Sequence, residues 1–205
     1  MECAKRLEML IKVVIENTST HGLPTEHGLC LWVEACGRRF FFDLGQGALF
    51  AQNAASMGIN PQEAEFVVIS HGHYDHGGGI PTFLSLNETA PVYVHKKAFT
   101  EHYSLKDGGT RYIGLAQHLQ GNDRIKPTDG VQSISDGITL FSGGSGSEFF
   151  SPANLRILKS ENGKLVCDDF CHEQSLIIQE NGCNVLLAGC AHSGILNIIA
   201  KAEAI

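Results

Sequence analysis

One stretch limits what this chain can fold into more than any other: Phe66-Val67-Val68-Ile69-Ser70-His71-Gly72-His73-Tyr74-Asp75-His76-Gly77-Gly78-Gly79. Phe66 to Ser70 is a short continuous apolar run of the kind that forms a buried strand. Four potential metal ligands, His71, His73, Asp75 and His76, follow within six residues. If the backbone stays extended beyond the strand, His71 and His73 point to the same side, because strand side chains repeat every two residues. A following turn then brings Asp75 and His76 in from another angle. One ion could take His71 and His73, and a second Asp75 and His76. Three imidazoles and a carboxylate packed at a strand end are costly to bury unless a cation sits among them. Imidazole and carboxylate together suit zinc, one ion or two, with iron or manganese as alternatives.

The rest of the chain supplies a domain around this motif. Its 205 residues, 43% hydrophobic and 18% charged, suit one domain over residues 1–205 with a substantial core. The formal net charge of -7 argues against nonspecific binding to a phosphate backbone, so a small-molecule substrate is expected and a nucleic acid is not. No stretch is long and apolar enough to span a bilayer, and Leu10 to Ile15 is too short for a signal core and contains Lys12. The seven cysteines, Cys3, Cys30, Cys36, Cys167, Cys171, Cys183 and Cys190, are odd in number and follow no leader. They read as free thiols in a reducing cytoplasm. Cys167-x-x-x-Cys171 lacks redox or zinc-ribbon spacing and reads as two ordinary thiols. No pattern fixes an oligomeric state.

Two strand-rich blocks flank a polar middle. Leu10 to Glu16 reads as a strand and Asn17 to Thr25 as a turn-like stretch. His27 to Ala35 and Arg38 to Leu44 read as a hairpin about Cys36-Gly37. Ala48 to Met57 has helical spacing, a helix is expected from Ile80 to Leu86, and a strand from Pro91 to His95. Residues 98–130 are polar and poorly periodic. They read as a surface insertion, with a lid or substrate loop as the alternative. Strands return at Ile138 to Phe141, Leu155 to Lys159, Lys164 to Cys167, Ser175 to Gln179 and Asn184 to Ala188. Glu180-Asn181-Gly182 is a hairpin turn, and Ile195 to Ala204 reads as a helix. Strands mixed with helices imply an α/β or α+β layered fold. His21, His95, His102 and His118 are isolated and read as ordinary satisfied or surface histidines. Gly143-Gly144-Ser145-Gly146-Ser147 could cradle an anion but lacks the lysine of a P-loop, and reads as a surface turn.

His71-x-His73-x-Asp75-His76, its glycine tail and the preceding strand resemble the metallo-β-lactamase superfamily. Phe41-Phe42-Asp43-Leu44-Gly45 resembles the family's earlier strand ending in Asp-x-Gly. The resemblance implies an αββα sandwich and makes Asp43 a support that orients ligands, not itself a ligand. It implies a third ligand histidine on a later loop, and His172, before the strand Ser175 to Gln179, fits. It implies a further ligand after the next strand, where Gly189-Cys190-Ala191-His192 stands. Cys190 matches by position and a thiolate is a good zinc ligand, while His192 remains an alternative as ligand or proton-transfer group. Glu26-His27-Gly28 and Gly189 to Ile195 are similar to the dihydropterin-ribofuranosylaminobenzene-phosphate synthase-like branch. The family carries one more histidine near its C-terminus. Here the sequence stops at Ile205, so the sandwich is expected to lack its last C-terminal elements.

The resemblance implies a hydrolase that uses a metal-activated water on an ester or phosphoester-type substrate, with Asp75 both a ligand and the proton-handling catalytic residue. Two alternatives stand beside it. One is a transferase of the synthase type, and the other is a non-catalytic metal-binding domain.

Overall fold

The computed structural model describes residues 9–143 and 150–205. Gly144 to Ser147, read above as part of a possible anion cradle, lie outside the described residues.

Three consecutive phenylalanines explain the layering. Strands β1 (Leu10–Ile15), β2 (Cys30–Ala35) and β3 (Arg38–Phe42) pair antiparallel, with the turn at Cys36-Gly37. Successive strand side chains face opposite ways, so Phe41 points to one side of this sheet and Phe40 and Phe42 to the other. Phe41 meets Trp32, Phe50 and Phe83 edge-on at ring distances of 4.9, 5.7 and 6.1 Å. Phe50 belongs to helix α1 (Leu49–Ser56). Strand β4 (Phe66–Val68) then leads through the short helix α2 (Tyr74–Gly77) into α3 (Ile80–Leu86), which carries Phe83. Strand β5 (Val92–His95) follows. Next come the hairpin β6 (His102–Lys106) and β7 (Gly109–Tyr112), and then β8 (Ile125–Thr128). The first sheet has the order β1-β2-β3-β4-β5-β8, and its pairings from β3 onward are parallel.

The opposite face of that sheet meets a second one. Strands β9 (Val131–Ser135) and β10 (Ile138–Ser142) begin it. Strands β11 (Ile157–Glu161) and β12 (Lys164–Cys167) leave it to pair with the hairpin β6 and β7. Strands β13 (Gln174–Glu180) and β14 (Cys183–Leu187) complete the order β14-β13-β10-β9. Phe40, Phe42, Phe66 and Val68 pack against Ile138, Leu140, Leu176 and Ile178 from the second sheet. On its far side, Phe141 and Ile177 cover Ile198 of helix α4 (Ile195–Glu203). The layers therefore run helix, sheet, sheet, helix. Because the central strands are covered on both faces, Phe66 to Ile69 is a continuous apolar run.

Residues 98–130 depart from the reading as a surface insertion. This segment contains three strands. The hairpin β6 and β7 forms a third sheet with β11 and β12, and β8 closes the first sheet as an edge strand. Its Pro127 is tolerated because an edge leaves one row of backbone donors unused. Strand β9 was likewise not anticipated. No helix among the described residues is long and apolar enough to cross a membrane.

Phe41 is fully buried at the centre of the helix-covered face. Phe41→Ala is expected to cost about 3–5 kcal/mol, read from urea denaturation. A loss under about 1 kcal/mol, the level of a peripheral site, would contradict this packing.

Candidate metal centre

The site begins with a buried carboxylate. Asp43 follows β3 at φ 61 and is fully buried. The backbone N–H and the Oγ–H of Ser70 donate to its two carboxylate oxygens, both at 2.7 Å. His76 Nδ1 lies 2.6 Å from the same Oδ2. Asp43 thus ties both ends of the motif, and it leaves His76 Nε2 facing the site. Burial works against a charge on His76, but Asp43 outweighs it and holds the imidazole pKa well above its ordinary value. The glycine tail is there for space. A Cβ on Gly79 would lie 2.3 Å from the Leu44 carbonyl oxygen, so only glycine lets the helix start press onto the loop after β3.

His71 and His73 face one another at a ring distance of 4.5 Å, as two same-side residues at a strand end should. His192 joins them at 5.0 and 5.1 Å. The hydrogen-bond network assigns the tautomers. Ser70 Oγ spends its proton on Asp43, so His71 Nδ1–H donates to Ser70 Oγ at 2.9 Å. Asn154 Nδ2 donates to the His192 carbonyl, which turns Asn154 Oδ1 to accept His192 Nδ1–H at 2.9 Å. The N–H groups of His192 and Ser193 donate to the Glu173 carboxylate at 2.7 and 2.8 Å. The Nε2 atoms of His71, His73 and His192 are buried without a hydrogen-bond partner, and the three rings offer nitrogens within 4.8 Å of one another. Burial, reinforced by neighbouring imidazoles, lowers the pKa of His71 and His73 well below normal and that of His192 to about 3. The rings are thus held in the neutral form that binds metal. Orphaned buried nitrogens are expensive, and a divalent cation among them removes that cost, so the residues present fit a metal ion.

A second cluster adjoins the first. His76 Nε2 lies 3.1 Å from Cys190 Sγ and 3.7 Å from Asp75 Oδ2. His71, His76 and Cys190 form a group with metal-ligand spacing. Cys190 follows β14, as expected for the later ligand.

His172 is brought to the centre, where it forms a further group of metal-ligand spacing with His73, His102 and Asp168, apart from the group of His71, His73 and His192. The Gly72 N–H donates to its Nδ1 at 2.9 Å, so Nε2–H is left to face Asp168 Oδ2 at 3.4 Å. His102 corrects the reading of it as an ordinary satisfied histidine. It is fully buried, 4.1 Å from the His172 ring, with Nδ1 2.7 Å from Asp168 Oδ2 and Nε2 without a partner. Asp168 was not anticipated at all. Burial would raise its pKa, but hydrogen bonds from His102 and His172 outweigh that and hold the carboxyl far below the usual range. The centre opens into a cleft lined by His27, Asp75, Lys106, Arg111, Cys190 and His192 among others.

The family model of the metallo-β-lactamase superfamily matches residues 23–150. The chain belongs to the metallo-β-lactamase superfamily. Its fold is similar to that of Tm1679, a metal-dependent hydrolase of the β-lactamase superfamily. The crystal structure of that protein aligns with a TM-score of 0.79 at 29% identity, over 96% of this chain and 72% of the other. The chain is 26% identical to the 7,8-dihydropterin-6-methyl-4-(β-D-ribofuranosyl)-aminobenzene-5'-phosphate synthase of Methanocaldococcus jannaschii, over 98% of this chain and 74% of that protein. It is 27% identical to an uncharacterised protein of the same organism, over 93% of this chain and 72% of that protein. A quorum-quenching N-acyl homoserine lactone lactonase shares the fold, with a TM-score of 0.53 at 15% identity.

Asp43→Asn leaves the buried His76 without its ion-pair partner. It is expected to destabilise the chelator-stripped protein by about 3–5 kcal/mol, read by chemical denaturation. A variant as stable as the wild type would show that Asp43 does not organise the motif.

Proposed function

We propose that this protein is a metal-dependent hydrolase acting on an anionic ester or phosphoester. His71, His73 and His192 hold one divalent cation, and Asp75, His76 and Cys190 hold a second. The observation that carries this reading is the convergence of three buried, partnerless Nε2 atoms, each with its other nitrogen or its backbone already fixed. Imidazole, carboxylate and thiolate donors favour zinc. A cation held here lowers the pKa of water toward neutrality and polarises the ester oxygen.

The chain's own residues do the remainder. Three imidazoles, His71, His73 and His192, would hold the first cation with the donor count of a catalytic rather than a structural zinc site. Asp75 Oδ2 faces the cleft next to His76 and can hold a proton and orient the attacking oxygen. Lys106 and Arg111 place positive charge on the cleft wall, and the Arg111 guanidinium lies 5.2 Å from the centre of the Tyr74 ring, which steadies it. These two cations favour a substrate with a negative charge beside the scissile bond.

Assigning His192 in place of His172 as the third imidazole makes a direct prediction. His73→Ala and His192→Ala are expected to lose most of the tightly bound metal, as measured by elemental analysis, whereas His172→Ala keeps it. A greater loss from His172→Ala than from His192→Ala would reverse the assignment.

The activity is tested on a generic phosphodiester. The expected result is turnover that chelator abolishes and zinc restores. The likeness to the synthase supports a second reading, transfer between a dihydropterin diphosphate and a phosphoribosyl aminobenzene at the same centre. Product from that pair, with no hydrolysis of simple esters, would replace the hydrolase reading. Bound metal with no turnover of either would leave a binding domain.

A further inference from the structure

A further imidazole stands at the open side of the second cluster, and the proposed function leaves it unused. His27 Nε2 lies 3.2 Å from Asp75 Oδ2. Its Nδ1 lies 3.0 Å from Asn17 Oδ1. That oxygen also accepts the Gly28 N–H at 3.3 Å, which fixes the amide with its oxygen toward the ring. An acceptor opposite Nδ1 makes Nδ1 the donor, so the neutral ring turns its Nε2 lone pair toward the Asp75 carboxylate. Two lone-pair atoms at that distance repel unless a proton or a metal cation lies between them.

The backbone holds this arrangement. Gly28 has φ 129, and a Cβ there would lie 2.0 Å from the Asp75 carbonyl oxygen. Any other residue would push the loop away. The Leu29 N–H reaches that same oxygen at 3.4 Å. The His27 carbonyl accepts from Gln46 Nε2 at 2.7 Å, and Glu26 Oε1 accepts the Gln46 N–H at 2.8 Å. The loop is therefore anchored to the segment after Asp43 on both sides of His27. The His27 side chain is 69% exposed and that of Asp75 9%, so the ring stands where the cluster meets solvent.

We infer that His27 is a ligand of the second cation, joining Asp75, His76 and Cys190 and closing that site from the cleft side. This rests on the two-cation reading above. Two imidazoles, a carboxylate and a thiolate form a donor set for zinc or cobalt. Without His27 the second site has one nitrogen donor, at His76.

The test is metal titration of the full chain, wild type against His27→Ala, with zinc affinity read by chelator competition. Cobalt(II) serves as a spectroscopic probe, because a thiolate-to-cobalt band reports occupancy at Cys190. Wild type is expected to take two equivalents. His27→Ala is expected to bind the first as wild type does and to lose at least about tenfold in affinity for the second, with the thiolate band weakened at equal cobalt. His27→Cys, which restores a donor, is expected to recover part of that loss. His21→Ala, an exposed histidine of the same loop, is expected to change neither equivalent. Circular dichroism confirms that each variant is folded. Unchanged second-equivalent affinity in His27→Ala would overturn the assignment and leave His27 as an ion-pair partner of Asp75. A wild type that takes one equivalent would overturn it as well, while sparing the first site. A wild type that binds no cation would sink the metal reading itself.

Discussion

A single carboxylate converts the end of a strand into a site. Asp43 sits at a left-handed backbone position after β3, with no solvent contact, and accepts from Ser70 N, Ser70 Oγ and His76 Nδ1. Each of these bonds settles something further on. The Ser70 N–H bond sets where the chain leaves β4, the hydroxyl bond forces His71 to donate from Nδ1, and the third bond aims His76 Nε2 at Cys190. A buried carboxylate is costly unless its oxygens are fully used, and here they are. The cost of burying Asp43 and the orientation of two ligand rings are settled by the same hydrogen bonds.

The sandwich brings together residues far apart in sequence. The first sheet delivers His71 to His76 at the carboxyl end of parallel strand β4, where α/β sheets present their binding crevices. The second sheet delivers Cys190 and His192 just past β14. The loops flanking the third sheet add Asn154 and Asp168, which orient His192 and His172. The first cluster draws His71 and His73 from the end of β4 and His192 from beyond β14, so the site forms only when both sheets are in place. That explains why so many ionisable groups sit in a region where burial alone would reject them.

The motif's first four donors were legible because they are local: spacing fixes their side, and the preceding apolar run fixes their depth. Most strands of the two main sheets were legible for the same reason, since covered strands write continuous or alternating apolar runs, but the edge strands β8 and β9 were not. The hairpin β6 and β7 was not, because β7 is exposed along its length and has no inward face to leave a pattern. His102 and Asp168 were missed on related grounds. Each looks like an isolated polar residue, and their pairing spans 66 positions. His172 and His192 are separated by the role the protein gives the same ring atom, Nδ1. On His172 it accepts the Gly72 N–H, whereas on His192 it donates to Asn154, 38 residues earlier, which leaves Nε2 bare. Local spacing carries no trace of either bond. The pair Asp168-Asp169 just before His172 was the one available hint.

On the proposed assignment the two cation sites differ in kind, and the difference follows from depth. The first is made of neutral imidazoles whose protonation is suppressed by burial and by each other, so its nitrogens are available to metal without first losing a proton. The second contains an exposed thiol and a carboxylate at the cleft, next to an imidazole that Asp43 holds toward its charged form. Binding there must displace a proton from His76. A deep site that needs no proton release thus stands beside a shallow one whose filling is coupled to it. Asp75 stands at the second site and its backbone carries the loop of His27, so whatever changes the occupancy of the outer site is felt first at the wall the substrate meets.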